Sequence, residues 1–182
     1  MSHTIVAGLV ILAITAVPAL ASNKRSASTR HTTDQQFVLN AANASIAQIE
    51  LGKIAEMKSG NEEVKGFAKS MVADHERALD DLKRVAMDQQ ITLPTALDAK
   101  DKALKDRLET LSGLAFDRAY MGAMVKNHRS DVAEFRTEAK SAKGDEVKQY
   151  ASRTLSTLEE HLKRAQEIDH SIGATGRQSK TS

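Results

Sequence analysis

The chain contains no cysteine and no tryptophan, only two prolines, and aromatic residues at 3% of its 182 positions. Without cysteine it can form no disulfide, no thiolate metal site, no thiol nucleophile and no c-type haem attachment. Without an aromatic platform it has no surface for stacking nucleic-acid bases. The net charge is +2 with acids and bases interleaved, a solvated surface rather than a basic footprint, so no nucleic-acid partner is expected. The one long apolar run, Ile5–Ala16, is too short to span a bilayer comfortably, and no other run is longer.

What remains is rich in Ala, Leu, Lys and Glu, a composition that favours helices over sheet. A chain of this length buries roughly 70% of its unfolded surface and can hold a core by packing alone. Residues 1–21 read as a signal peptide. Ala19-Leu20-Ala21 gives a small-x-small cleavage pattern before Ser22, although no Lys or Arg precedes the apolar run. The expected location is therefore exported, periplasmic or associated with the cell envelope, with membrane contact only through an uncleaved signal segment. Residues 22–32 are polar, basic and aperiodic, and read as a flexible leader whose His31 is solvated.

Residues 33–170 carry helical periodicity. Asn61–Met87 has apolar residues at Val64, Phe67, Ala68, Met71, Val72, Ala78, Leu79, Leu82, Val85 and Ala86, one continuous stripe. A helix before it should begin after Thr33, where Thr33 and Gln36 form a capping-box pattern. It should end at Ser59-Gly60-Asn61, with Gly60 left-handed and Asn61 capping the next helix. Asp88–Ser112 contains Pro94 and a short helix capped by Asp98, and it reads as a crossover along a bundle. A further helix starts near Gly113 and ends at Lys143-Gly144, and Asp145 caps the last. Residues 171–182 read as a disordered tail. Glu63-Val64-Lys65-x-Phe67-Ala68 recurs as Glu146-Val147-Lys148-x-Tyr150-Ala151, so the chain reads as two related helical hairpins. The expected fold class is all-α, a four-helix bundle.

Each long helix offers one inward polar residue. His75 follows Met71 by four, His128 lies four after Met124 and four before Val132, and His161 follows Leu158 by three. Each imidazole lies about 15 residues from a helix end, roughly 22 Å at 1.5 Å per residue, so all three fall at mid-height. Glu50 lies between Ile46 and Ile54 at steps of four, about one turn off that level. Imidazole and carboxylate are ligands for Fe, Zn, Mn or Cu, and bundle cores are where facing helices build such sites. A buried imidazole without a partner costs roughly 1–3 kcal/mol and a buried ionised Glu several, so these groups need partners. The candidate metal ligands are Glu50, His75, His128 and His161. Asp117 or Glu134 could supply outer hydrogen bonds, Met71 and Met124 are core filler, and Asp131 and Glu159-Glu160 are solvated surface. The competing reading makes each histidine a core residue satisfied by its neighbours, for example Asp74 or Tyr120, in a non-catalytic envelope or stress-associated bundle without metal. A third reading is a b-type haem held by two axial histidines.

Ile49-Glu50-Leu51-Gly52-Lys53, Val64-Lys65-x-Phe67-Ala68, Met71-Val72-x-Asp74-His75, Phe116-Asp117-x-x-Tyr120-Met121 with His128, and Thr154-Leu155 with His161-Leu162 resemble a bacterial family. It is a domain of unknown function whose members are commonly labelled predicted outer membrane proteins and placed in the ferritin-like superfamily. The resemblance covers roughly Asp34 to Ile168 and implies an exported ferritin-like four-helix bundle, without an activity. The chain departs from the two-metal pattern of that superfamily: Val72 and Leu158 stand three before His75 and His161, where glutamates would be expected. Metal-dependent oxidation needs carboxylates that are missing. No catalytic residue is assigned, and a single metal in a His-rich site is the expectation.

Overall fold

A computed structural model describes residues 23–178 and, for side chains, residues 34–174. The described residues form five helices and no strand: α1 Asn23–Lys58, α2 Glu62–Asp88, α3 Ala99–Glu109, α4 Gly113–Ser141 and α5 Asp145–Gln178. The signal-peptide reading of residues 1–21 lies outside the described residues. Two expectations for the flanks change. No Pro or Gly interrupts the chain between Asn23 and Leu51, and the helix runs through the stretch read as a leader, so α1 begins before Thr33 and not after it. At the other end Ile172 extends the stripe of Ala165 and Ile168 and is 2% exposed, which carries α5 past residue 170 to Gln178.

The interior caps follow the sequence more closely. Asn61 Oδ1 accepts from the backbone N–H groups of Glu63 and Val64 at 2.8 and 3.3 Å, closing the start of α2. Asp98 accepts from the N–H of Asp101 and starts α3. Gly60 does not adopt positive φ. Among the described residues that conformation belongs to Gly113 (φ 54°) and Gln90 (φ 57°).

Hydrogen bonds at the helix ends fix the topology. Asp34, near the start of the bundle part of α1, accepts from the backbone N–H groups of Lys143 and Gly144 between α4 and α5. At the opposite end Ser59 Oγ, after α1, donates to Asp117 of α4 at 2.6 Å. Thus α2 and α4 run one way, α1 and α5 the other, and the segment bearing α3 returns along the bundle. The main contacts join α1 to α2 and α4 to α5, with α2 against α5 and α1 against α4, so every neighbouring pair of the four long helices is antiparallel. Close approach of α1 to α2 requires Gly52: a Cβ there would lie 2.7 Å from Val72 Cγ2 and 3.2 Å from the Ala68 carbonyl.

The core is split in two. One cluster gathers Leu51, Val64, Phe67, Met71, Phe116, Tyr120, Met124, Ala165 and Ile168. The other gathers Phe37, Leu82, Val85, Val132, Phe135, Val147, Tyr150 and Leu158. The repeated motif explains the division: Val64-x-x-Phe67-Ala68 anchors one end of the bundle and Val147-x-x-Tyr150-Ala151 the other. Between the two clusters lies a polar layer.

Candidate metal centre

That layer is built from one imidazole on each of three helices. On α2, His75 lies between Met71 of one cluster and Leu82 of the other. On α4, His128 lies between Val125 and Val132, and on α5, His161 between Leu158 and Ala165. Exposure is 4%, 0% and 6% for His75, His128 and His161. The ring centroids form a near-equilateral triangle with sides of 5.8, 5.6 and 5.5 Å, and one potential ligand atom from each ring lies within 4.8 Å of the other two. The edge of Phe67 closes the group from one side, its centroid 6.3 Å from that of His161.

The outer hydrogen bonds fix which nitrogens of His128 and His161 are left free. His128 Nδ1 meets the Met124 carbonyl at 2.9 Å. A carbonyl only accepts, so Nδ1 carries the proton, and Nε2 is left as a buried lone pair with no partner. His161 Nε2 meets Asp74 Oδ2 at 2.8 Å and donates to it, leaving Nδ1 buried and unpartnered. Both nitrogens of His75 lack partners. Burial holds the His75 pKa well below its usual value, with repulsion from His128 and His161 adding to the effect. Burial also lowers His128 to about 4, helped by His161 and opposed by the Met124 carbonyl. His75 and His128 are therefore neutral imidazoles at pH 7, the protonation state in which histidine ligates metals.

Of the four residues named from the sequence, three converge and the fourth does not. Glu50 has a side chain 40% exposed, pairs with Lys53 at 3.8 Å, and lies with Ile46 beside Thr95, Leu97 and Lys102. Ile46 is only half-buried because that flank of α1 lies under the crossover instead of in the core; a step-of-four argument anchored on Ile46 therefore misplaced Glu50. At the level of the imidazoles, the buried polar residues of α1 are Ser45 and Gln48, between Ala42 and Leu51. Asp74 bonds His161, not His75, and Asp117 is taken by Ser59. Asp131, read as solvated, has a buried Oδ2 without a partner. A cleft of about 400 Å³ lies between α3 and α4 along Leu104, Leu108 and Ala123, and no histidine lines it.

The structure thus defines an all-helical bundle with a closed three-imidazole layer in its core. A family model described as "Domain of unknown function (DUF4142)" matches residues 19–168, and the chain belongs to that family. The chain is also similar to the crystal structure of a DUF305 fragment from Deinococcus radiodurans, with a TM-score of 0.66 and 14% identity, covering 78% of this chain and 95% of that one. That likeness concerns the fold alone. No curated protein matches the sequence.

Proposed function

We propose that this protein binds one transition-metal ion in its core through His75, His128 and His161. The observation that carries the proposal is three buried imidazoles between two apolar clusters, each with an unpartnered nitrogen and each offering a ligand atom within 4.8 Å of the others. Each orphaned polar atom costs on the order of 1–3 kcal/mol, and a single cation satisfies one nitrogen on each ring. The outer bonds suit the role: a carboxylate on His161 and a carbonyl on His128 are the partners that orient metal-bound imidazoles. Two nitrogens on one tetrahedral ion lie about 3.4 Å apart, so the rings need to close by at most about 1.4 Å. Three neutral nitrogens without a thiolate suit Zn(II) or Cu(II) over Mn(II). Haem is disfavoured, because the third ring sits where the macrocycle would have to pass between the other two. Among the described residues the cluster of candidate ligands holds histidines alone, and the nearby Asp74 carboxylate is engaged by His161, which does not favour di-metal oxidation.

The antiparallel order with its long crossover supports a ferritin-like arrangement as the finer description of the bundle. The pattern of residues 1–21 supports export to the cell envelope. Both are part of this proposal.

The test is elemental analysis of protein purified without a polyhistidine tag, before and after incubation with Zn(II), Cu(II), Fe(II) and Mn(II). One equivalent of metal is expected, and it is lost in His75→Ala. Protein that retains none of the four metals at neutral pH, and whose melting ignores chelator, is a bundle whose histidines are structural only.

A further inference from the structure

A second polar pocket lies between α1, α3 and α4, and no histidine lines it. It is a cavity of about 70 Å³ whose walls include Gln48, Lys100, Asp101, Asn127 and Asp131. Oxygen-bearing side chains reach it from three different helices, Gln48 from α1, Asp101 from α3 and Asp131 from α4 among them. Gln48 is 1% exposed, and its Oε1 has no hydrogen-bond partner. Asp131 Oδ2 is buried and unpartnered. Asp101 is 7% exposed. Two acceptors without donors, one of them on a carboxylate, beside the second carboxylate of Asp101, make a pocket that is short of positive charge. Lys100 lines it too and offsets only part of that deficit.

We propose that this pocket is a site for a hard divalent cation, Ca²⁺ or Mg²⁺, held by Asp101, Asp131 and Gln48 Oε1 with water completing the shell. Oxygen-only donors select these ions over the softer metals that suit imidazole. A buried water needs about 10–15 Å³ of such space, so the cavity has room for an ion and several waters. Three protein ligands and a shell completed by water imply weak binding, with Kd on the order of 10⁻⁴–10⁻³ M. The ion clasps the crossover helix α3 onto α1 and α4, which α3 otherwise touches only lightly.

The charge environment agrees with the geometry. Burial pushes the Asp131 carboxyl up to about 7, Glu134 and Asp101 push the same way, and Lys100 opposes them. Burial raises Asp101 as well, with Asp98 adding and Lys100 opposing. The pocket penalises bare carboxylates, and a bound cation removes that penalty.

The experiment uses the full chain, stripped with EDTA and held near pH 8 so that Asp131 is ionised. Calorimetric titration with CaCl₂ and with MgCl₂ is expected to show one saturable site for at least one ion, with a matching rise in Tm. Asp131→Asn should weaken binding at least tenfold while melting cooperatively without metal. Gln48→Glu, which adds a third carboxylate, should tighten it. Asp80→Asn, an exposed carboxylate elsewhere on α2, should leave it unchanged. No saturable binding of either ion, or equal affinity in Asp131→Asn and the parent chain, would overturn the proposal.

Discussion

His161 and Asp74 stand on facing helices, and the imidazole Nε2 donates to the carboxylate Oδ2 at 2.8 Å. This bond fixes the tautomer of His161 and turns Nδ1 into the core, where it lies buried beside the other two rings. Asp74 itself is about a quarter exposed and also pairs with Arg77 one turn along α2, so removing it opens no core cavity.

The first prediction follows from that bond. Asp74→Ala should leave the protein folded, because its link to Arg77 is a surface pair worth at most about 1 kcal/mol. Metal affinity should fall 10- to 100-fold, since His161 loses the partner that holds its ring and raises its basicity. Competition for Zn(II) against a chromophoric chelator measures the change. Unaltered affinity would show that Asp74 plays no part in metal binding.

A second prediction concerns acid. His128 titrates at about 4 in the folded protein against the ordinary 6.5, and His75 is lowered too. The unfolded chain therefore binds more protons than the folded one between those values, and stability rises with pH across that window. For the metal-free protein, stability should be full above about pH 6.5 and lost progressively as the pH falls toward 4. The loss is on the order of 3 kcal/mol for His128 alone. Urea melts at pH 7.5, 6, 5 and 4.5 check the slope. His128→Leu, which keeps an apolar side chain in the layer, should flatten it.

The fold was legible because it rests on local periodicity. The stripes on α2, α4 and α5, the Asn61 and Asp98 caps and the crossover all follow from spacing and capping chemistry within a few turns. The three imidazoles were legible for the same reason, each lying in line with apolar neighbours of its own helix. Glu50 was not, because α1 carries apolar residues on two faces, one toward the core and one under the crossover. Periodicity alone does not say which face a carboxylate shares. Gln48 escaped notice and Asp131 was read as solvated surface because their burial depends on α3 packing over them, a long-range contact with no local signature. The Asp74–His161 bond, 87 positions apart in sequence, is of the same kind.

The contact of α1 with α2 gives a third prediction. Gly52→Ala gains about 1 kcal/mol of helix propensity, yet its new methyl would meet Val72 Cγ2 at 2.7 Å and the Ala68 carbonyl at 3.2 Å. A branched side chain and a helical backbone cannot both retreat without parting the helices, and overpacking of this kind costs roughly 1–3 kcal/mol. The net effect should be destabilising, with Tm lower by several degrees. An increase in Tm would mean that the hairpin adjusts freely at this point.

The end of α2 supplies the last prediction. Gln90 takes a left-handed conformation, φ 57°, with its N–H bonded to the Met87 carbonyl while the N–H of Ile91 reaches Ala86 O at 2.8 Å. This pair of bonds is the Schellman arrangement, and the side chain of Ile91 completes it by packing in the same cluster as Val85 and Ala86. The position ordinarily falls to glycine, since a side chain there crowds its own carbonyl by roughly 1–2 kcal/mol. The exposed Gln90 contributes no hydrogen bond from its side chain to offset that cost. Gln90→Gly should therefore stabilise the protein by about 0.5–1 kcal/mol, less than the full relief of strain because glycine adds freedom to the unfolded chain. Chemical denaturation should show a higher midpoint with an unchanged m-value. A lower midpoint would mean that the left-handed turn is not kept in solution.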